Sequence, residues 1–348
     1  MRNLIILLVA FMAGPVAAQG WFTKEVCFVE DPTVFPDAFS PFSYEQIQKT
    51  AKTIPNGDGK LWRITSTNGQ VSYLWGTIHS NDPTLLALPE QVEDAIKRAR
   101  VVAVERDLKF PDRRMVKASN SEWEWRYHIS GTPDFYSLDL PTDLRKWVES
   151  RFDSLGWDVG EVNLLRLSVI AEILLNDACN DFNGWVYPIQ DDRIQMLGDI
   201  SGASTLGLEH RYDIRRRLED GQSLKLNEAL IAIYGAYLQP VDNNKGRSTF
   251  YALYLQGRIG EMMAWDSAYI TDLFPDGQGR DWLTLSDEYL LAERNRNFVQ
   301  SALDDLRTGG LFMAVGAFHL PGENGLVEML RSEGFMVGRV PLPEEVPE

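Results

Sequence analysis

Two matching segments near opposite ends of the chain most constrain its fold. In residues 73–79 and 312–319 an apolar run leads through a glycine and two further residues to a histidine. Each run predicts a buried strand, so that each imidazole leaves a strand end at the rim of a sheet. Both segments continue through a proline-containing loop into an amphipathic helix and a second strand. The chain is therefore predicted to contain two strand–histidine–helix–strand units.

Other local signals extend this α/β pattern. Asn68-Gly69 separates two apolar runs, which is a strong signal for a hairpin. Residues 101–105 form a β-branched run typical of a strand covered on both faces, and residues 107–182 are rich in helical patterns. We predict an α/β fold with a mainly parallel central sheet, an edge hairpin, helices on both faces and a helical insertion at about 107–182.

The amino terminus has the order of a secretory signal peptide. Arg2 precedes the apolar residues 4–13, and small residues end at Ala18, where cleavage is expected. The apolar part is too short to span a bilayer comfortably, and no later stretch is long and apolar enough. Residues 1–18 are thus predicted to be a signal peptide and 19–348 a single domain without a transmembrane segment. The expected location is periplasmic or secreted.

The net charge and the two cysteines indicate which partners and which disulfide this chain can have. The net charge of −16 argues against binding to a nucleic-acid backbone, which depends on clustered lysines and arginines. Cys27 and Cys179 are the only cysteines, an even pair that suits a disulfide in an exported protein. Two unpaired buried cysteines fit the sequence equally well. The sequence does not indicate the oligomeric state.

The strand-terminal residues suggest a metal site. If the strands that precede His79 and end at Glu105 are parallel neighbours, about 5 Å apart, their side chains leave the same sheet edge. His319 follows the second motif, and Glu209 ends a further strand-like run. Imidazoles and a carboxylate can hold a divalent ion that acidifies a bound water. We predict His79, His319 and Glu105 as ligands; the alternative for any one of them is an ordinary hydrogen bond or salt bridge.

Several of these segments resemble the TraB/GumN (PrgY-like) family, whose animal relatives include the Tiki metalloproteases. The matching residues are 74–79, the strand ending at Glu105, 206–209, 293–295 and 315–326. The resemblance implies a divalent-metal site built from the two GxxH motifs with glutamate and arginine, on a fold shared with erythromycin-esterase-like proteins. It also singles out Arg294, which would stabilise an oxyanion. From their strand-terminal positions, Glu105 is the first candidate for acid/base catalysis and Glu209 a second carboxylate that could take the proton of the bound water. In place of the family's Gly-x-Asp segment the chain has residues 189–192.

Two functional hypotheses follow. The first is an exported metal-dependent hydrolase, a peptidase by the Tiki resemblance, with Glu105, Glu209 and Arg294 in catalytic roles. Its cofactor would be zinc, manganese or cobalt, which the sequence does not distinguish, and its partner a peptide or protein substrate. The second is a non-catalytic protein that holds a metal, haem or peptide in the same pocket. An absorption band on titration would identify haem.

Overall fold

The computed structural model describes residues 24–107, 131–157, 160–183, 188–210, 212–220, 223–274 and 276–345. The predicted signal peptide and part of the predicted insertion, 108–130, lie outside these residues. The described chain is organised around a six-stranded sheet of order β4-β3-β5-β2-β1-β6. Its strands are β1 Leu61–Thr65, β2 Val71–Thr77, β3 Val101–Arg106, β4 Ser204–Glu209, β5 Leu311–Gly316 and β6 Met336–Arg339.

The strand pairing confirms the predicted α/β class with a mainly parallel sheet. β2, β5, β3 and β4 run parallel to one another, while β1 pairs antiparallel with both β2 and β6. The hairpin of β1 and β2 turns at residues 66–70, where Gly69 has a φ of 81°. β6 covers the outer side of β1, so the hairpin lies one strand inside the sheet's edge.

The expectation that β2 and β3 are direct neighbours is wrong, because β5 lies between them. Trp75 of β2 is paired with Ala314 of β5, and Ala103 of β3 with Met313. Residues 311–315 are all buried, so this late strand is apolar on both faces and belongs at the centre of the sheet. Because β5 lies between β2 and β3, the second histidine motif lies between the first motif and Glu105.

Helices cover both faces of the sheet, as predicted. Within the described residues the α-helices are α1 Lys24–Cys27, α2 Tyr44–Ala51, α3 Pro83–Leu86, α4 Glu90–Lys97, α5 Thr142–Ser154, α6 Leu167–Leu174, α7 Gln190–Ser201, α8 Asp213–Glu219, α9 Leu224–Ala236, α10 Lys245–Leu255, α11 Ile259–Leu273, α12 Gln278–Asp287, α13 Arg294–Thr308 and α14 Leu326–Ser332. A π-helix, Glu288–Glu293, joins α12 to α13. Short 3-10 turns include Ala178–Asn183 and Ala317–His319.

Each face of the sheet has its own apolar cluster. On one face Ile96 of α4 and Ile194 of α7 pack with strand residues such as Phe312. On the other, Phe298 of α13 and Leu330 of α14 belong to the cluster that contains the opposite side of the same strands. Burying both faces anchors all four parallel strands, so their carboxyl ends form a rigid edge.

The described part of the predicted insertion is helical and shares a core with later helices. Leu144 of α5 and Ile170 of α6 belong to one buried cluster with Leu230 of α9 and Trp282 of α12. In the described ranges no helix is both long and apolar enough to cross a membrane. Cys27 and Cys179 form a disulfide, which resolves the alternative that the sequence left open.

Candidate metal centre

The predicted site residues meet at the carboxyl edge of the parallel strands. Glu105 lies in β3, Glu209 ends β4, His79 follows β2 by two residues, and His319 ends the 3-10 turn after β5. Arg294 reaches the same place from the first residue of α13. In open α/β sheets the crevice outside these strand ends is the usual location of a ligand site. Two histidines separated by most of the chain therefore share one edge.

Glu105 is the centre of the cluster. Its Oε1 lies 3.6 Å from Nε2 of His79 and 3.6 Å from Nε2 of His319, and accepts the Gly316 N–H at 2.7 Å. Its Oε2 accepts a hydrogen bond from Nη2 of Arg294 at 2.6 Å. Burial disfavours the charged carboxylate, but Arg294 and His79 together hold the pKa of Glu105 well below its usual value. The carboxylate is therefore ionised at neutral pH.

His79 is oriented by a second carboxylate. Its Nδ1 lies 3.0 Å from Oδ2 of Asp191, whose Oδ1 accepts a hydrogen bond from Oγ1 of Thr77 at 3.0 Å. With Nδ1 hydrogen-bonded to Asp191, Nε2 faces Glu105. Burial favours the neutral ring, but Asp191 and Glu105 raise the pKa of His79 well above its usual value. A metal ion that binds through Nε2 would therefore displace a proton, because only the neutral ring is a ligand.

His319 is buried and held in a complementary way. Its Nδ1 lies 2.7 Å from Oδ1 of Asn295, whose amide nitrogen donates to the carbonyls of His319 and Asn324. Because the Asn295 amide nitrogen donates to these two carbonyls, Oδ1 of Asn295 must accept the bond from His319. The proton of the neutral His319 ring therefore lies on Nδ1. Burial lowers the pKa of His319 to about 3, against the opposing effect of Glu105. A neutral imidazole is the form that binds metals, and here Nε2 accepts a hydrogen bond from Nη1 of Arg294 at 3.4 Å that a bound ion would have to displace.

Arg294 connects the two predicted glutamates. Its Nη2 donates to Oε1 of Glu209 at 2.6 Å and its Nε to Oε2 at 2.9 Å, in addition to the bond with Glu105. The π-helix immediately before Arg294 is a feature often found at functional sites. Because both Glu209 oxygens accept bonds from the guanidinium, Glu209 acts here as an anchor for Arg294. Its assignment as a proton carrier stays a prediction.

The donor set fits a divalent cation. His79, Glu105 and Asp191 offer donor atoms that all lie within 4.8 Å of one another. Ligand atoms on one tetrahedral ion stand about 3.3 Å apart, close to the 3.6 Å between Glu105 Oε1 and Nε2 of His79. His319, a predicted ligand, lies at the same distance from Glu105 but outside that compact set.

Gly316 leaves space among these donors. A Cβ at this position would stand 3.3 Å from Oε1 of Glu105, 3.4 Å from Nε2 of His79 and 3.6 Å from Cδ2 of His319. The missing side chain therefore opens a cradle between the carboxylate and both imidazoles. A nitrogen- and oxygen-lined gap of this kind suits an ion better than it suits an apolar ligand.

Sequence reasoning assigned no role to Asp191 or Asn295. Asp191 belongs to the segment that departs from the family pattern, yet the start of α7 places it beside His79. Gln190 fixes that helix start, because its side chain bonds to Trp75 and to the Leu85 carbonyl. Asn295 directly follows Arg294, so its adjacency was a usable signal. No comparable signal linked Asp191 to β2.

Comparison with known proteins places the chain in a family without giving it an activity. A family model described as the TraB/PrgY/gumN family matches residues 60–339. This range contains all five predicted site residues and both residues that sequence reasoning missed. No curated protein and no solved structure matches the chain. The relation to the Tiki metalloproteases stays a prediction.

Proposed function

The chain belongs to the TraB/PrgY/gumN family, and from that premise we propose that it is an exported metal-dependent hydrolase that acts on peptides. One observation carries the proposal: Nε2 of two imidazoles faces the same Glu105 oxygen, each at 3.6 Å. In each ring the other nitrogen is hydrogen-bonded to a separate partner, Asp191 or Asn295. Such orientation of histidines by outer partners is typical of metal sites.

His79, Glu105 and His319 would hold the ion while Asp191 keeps its hydrogen bond to Nδ1 of His79; Asp191 could become a ligand only by giving up that bond. When bound, a divalent ion would acidify a coordinated water and polarise a substrate carbonyl. The mixed nitrogen and oxygen donors are compatible with zinc, manganese or cobalt. The exposed side of His79 leaves the centre open to a substrate, whereas the His319 side is closed by protein.

Arg294 and Glu209 fix the charge and the orientation of Glu105. Arg294 holds Glu105 ionised and fixes its Oε2, while Glu209 aligns the guanidinium through two hydrogen bonds. The resemblance assigns oxyanion stabilisation to Arg294, whose Nη1 here donates a hydrogen bond to Nε2 of His319 at 3.4 Å. A proton-transfer role for Glu209 would require it to loosen its bond with Arg294 during the reaction.

Three features bear on the proposed location and substrate class. The Cys27–Cys179 disulfide is typical of proteins that fold in an oxidising, extracytoplasmic compartment. The proposed peptide substrate rests on the resemblance to the Tiki metalloproteases. The high negative charge of the chain disfavours nucleic-acid substrates.

Elemental analysis of the mature protein, followed by a peptide-library cleavage assay with and without a chelator, tests the proposal. We expect one bound divalent ion per chain and chelator-sensitive cleavage, both lost in His79→Ala and Glu105→Gln. His210→Ala is a matched control, because His210 is exposed and its Nδ1 accepts a local backbone bond from the Tyr212 N–H. Metal binding without cleavage of any peptide would favour the non-catalytic alternative. Absence of metal from the folded wild type would refute both metal-based functions.

A further inference from the structure

The loop that carries His79 has little backbone hydrogen bonding of its own. Residues 78–82 connect β2 to α3 and belong to no helix or strand. Within the loop, the Ser80 N–H donates to the Ile78 carbonyl at 2.8 Å. Since buried backbone groups need partners, the position of this loop has to be fixed by groups from other segments.

Asn180 is one such group, and it binds the loop on both sides of Ser80. Its Nδ2 donates to the His79 carbonyl at 3.1 Å, and its Oδ1 accepts the Asn81 backbone N–H at 3.1 Å. Asn180 is only 3% exposed, so neither bond is readily replaced by water. A buried amide therefore holds the backbone of a proposed metal ligand directly.

The disulfide joins the Asn180 segment to a second segment that contacts α3, the helix directly after the loop. Cys179, adjacent to Asn180, is bonded to Cys27. Two residues beyond Cys27, the Val29 carbonyl accepts a hydrogen bond from Oγ1 of Thr84 at 3.3 Å. The two linked segments thus contact the chain at either end of the stretch from His79 to Thr84.

A third anchor limits how far this region can move. Asp177 accepts the Cys179 N–H at 3.0 Å and two bonds from Nη2 of Arg247, at 2.6 and 2.7 Å. Arg247 belongs to α10, which also carries Tyr251, whose hydroxyl lies 3.1 Å from Oγ of Ser80. Loss of the disulfide should therefore loosen the loop without releasing it.

We propose that Asn180 is a positioning residue for His79 and that the Cys27–Cys179 disulfide holds Asn180 in place. The metal affinity of the centre then depends on the redox state of this bond, an extension that rests on the proposed metal site. An external dithiol would reduce the bond by exchange. It would supply two electrons and two protons to form two cysteine thiols and would itself become a disulfide.

The positioning role is tested without metal, by hydrogen–deuterium exchange of the mature chain. In Asn180→Ala we expect faster exchange of the Asn81 amide and its neighbours in 78–84, because that amide loses its acceptor. Asn176→Ala is the matched control: Asn176 too bonds to the backbone through its side-chain amide, but its two acceptors, the carbonyls of Glu172 and Ile173, belong to α6. Unchanged exchange in Asn180→Ala, or an equal increase in the control, would overturn the role.

Titration with Mn²⁺, followed by the electron paramagnetic resonance signal of the free ion, tests the redox extension. We expect Asn180→Ala and the Cys27→Ser/Cys179→Ser variant each to bind Mn²⁺ about 10- to 100-fold more weakly, as for other outer-shell changes. Wild type that is reduced and then freed of dithiol should match the double serine variant. Combining all three substitutions should add little, because they act through one element.

The outcomes separate this inference from the proposed function. Wild-type Mn²⁺ affinity in the double serine variant, or fully additive losses, would overturn the redox extension. If the wild type binds no Mn²⁺ while exchange in 78–84 still responds to Asn180→Ala, the metal-based function and the redox extension fail, but the positioning role stands.

Discussion

Gly316→Ala gives the sharpest test of where a cation would sit. The added Cβ would stand 3.3 Å from Oε1 of Glu105 and 3.4 Å from Nε2 of His79. Gly316 has φ −49° and ψ 137°, a conformation that any L-residue adopts, so the substitution causes no backbone strain. The methyl group would fill the gap between the proposed ligands without disturbing the strand.

Gly316→Ala should change the free energy of unfolding much less than it changes metal affinity. Replacing glycine by alanine at a compatible position stabilises a protein by about 0.4–1 kcal/mol through the unfolded state. The close contact with the carboxylate opposes this gain, so the free energy of unfolding should change by less than about 1 kcal/mol. Metal affinity should fall by about 100-fold or more, which corresponds to roughly 2.7 kcal/mol.

Gly76→Ala, at the corresponding glycine of the first motif, is the control. A Cβ there would stand 3.0 Å from Cα of Ala317 and 3.1 Å from Cδ2 of Leu320, and would not meet the donor atoms. The expected effect is overpacking, which should lower the free energy of unfolding by about 1–3 kcal/mol. Gly76→Ala should lower metal affinity less than Gly316→Ala does.

Urea unfolding in metal-free buffer and Mn²⁺ titration by electron paramagnetic resonance would measure both quantities for both variants. The expected pattern is a crossed one, with metal binding lost in Gly316→Ala and stability lost in Gly76→Ala. If Gly316→Ala bound Mn²⁺ as tightly as the wild type, the ion would not lie among these donors and the reasoning would be refuted.

Three further predictions concern charged side chains. Asp191→Asn should weaken Mn²⁺ binding about 10- to 100-fold in the same titration; wild-type affinity would contradict its orienting role. Arg294→Met leaves the two glutamates that it bridges buried without their cation. Urea unfolding should show a loss of about 3–5 kcal/mol at neutral pH that shrinks below the usual glutamate pKa of 4.5, where the wild type loses the stabilising contribution of its ionised Glu105. Burial lowers the pKa of Lys60 from 10.5 to about 8, despite the opposing effect of Glu345. Between these values the unfolded chain keeps a proton that the folded chain releases, so the free energy of unfolding should rise with pH by up to about 3 kcal/mol; unfolding curves from pH 7 to 10.5 should lack this rise in Lys60→Met.

Much of the site could be predicted from the sequence, because residues at the carboxyl ends of parallel strands lie at the same edge of the sheet. His79, His319, Glu105 and Glu209 each follow or end an apolar run, and all four lie at that edge. The sequence did not show that β5 lies between β2 and β3. All three strands are predicted from local apolar runs, and such a run does not identify the neighbours of its strand. Strand order depends on how crossovers pack, which no local pattern records.

What the sequence determined by itself was the set of elements: apolar runs, glycine turns and helical faces are local properties, and they specify strands, helices and an α/β class. Only the tertiary structure decided the partners. Asp191 reaches His79 because α7 packs against β3 and β4 with its first residues bonded to side chains of β2, and Asn180 reaches the His79 loop from a distant segment that a disulfide ties to the amino-terminal region. Such contacts depend on packing between elements distant in the chain, so they emerge only once the sheet and its helices have assembled.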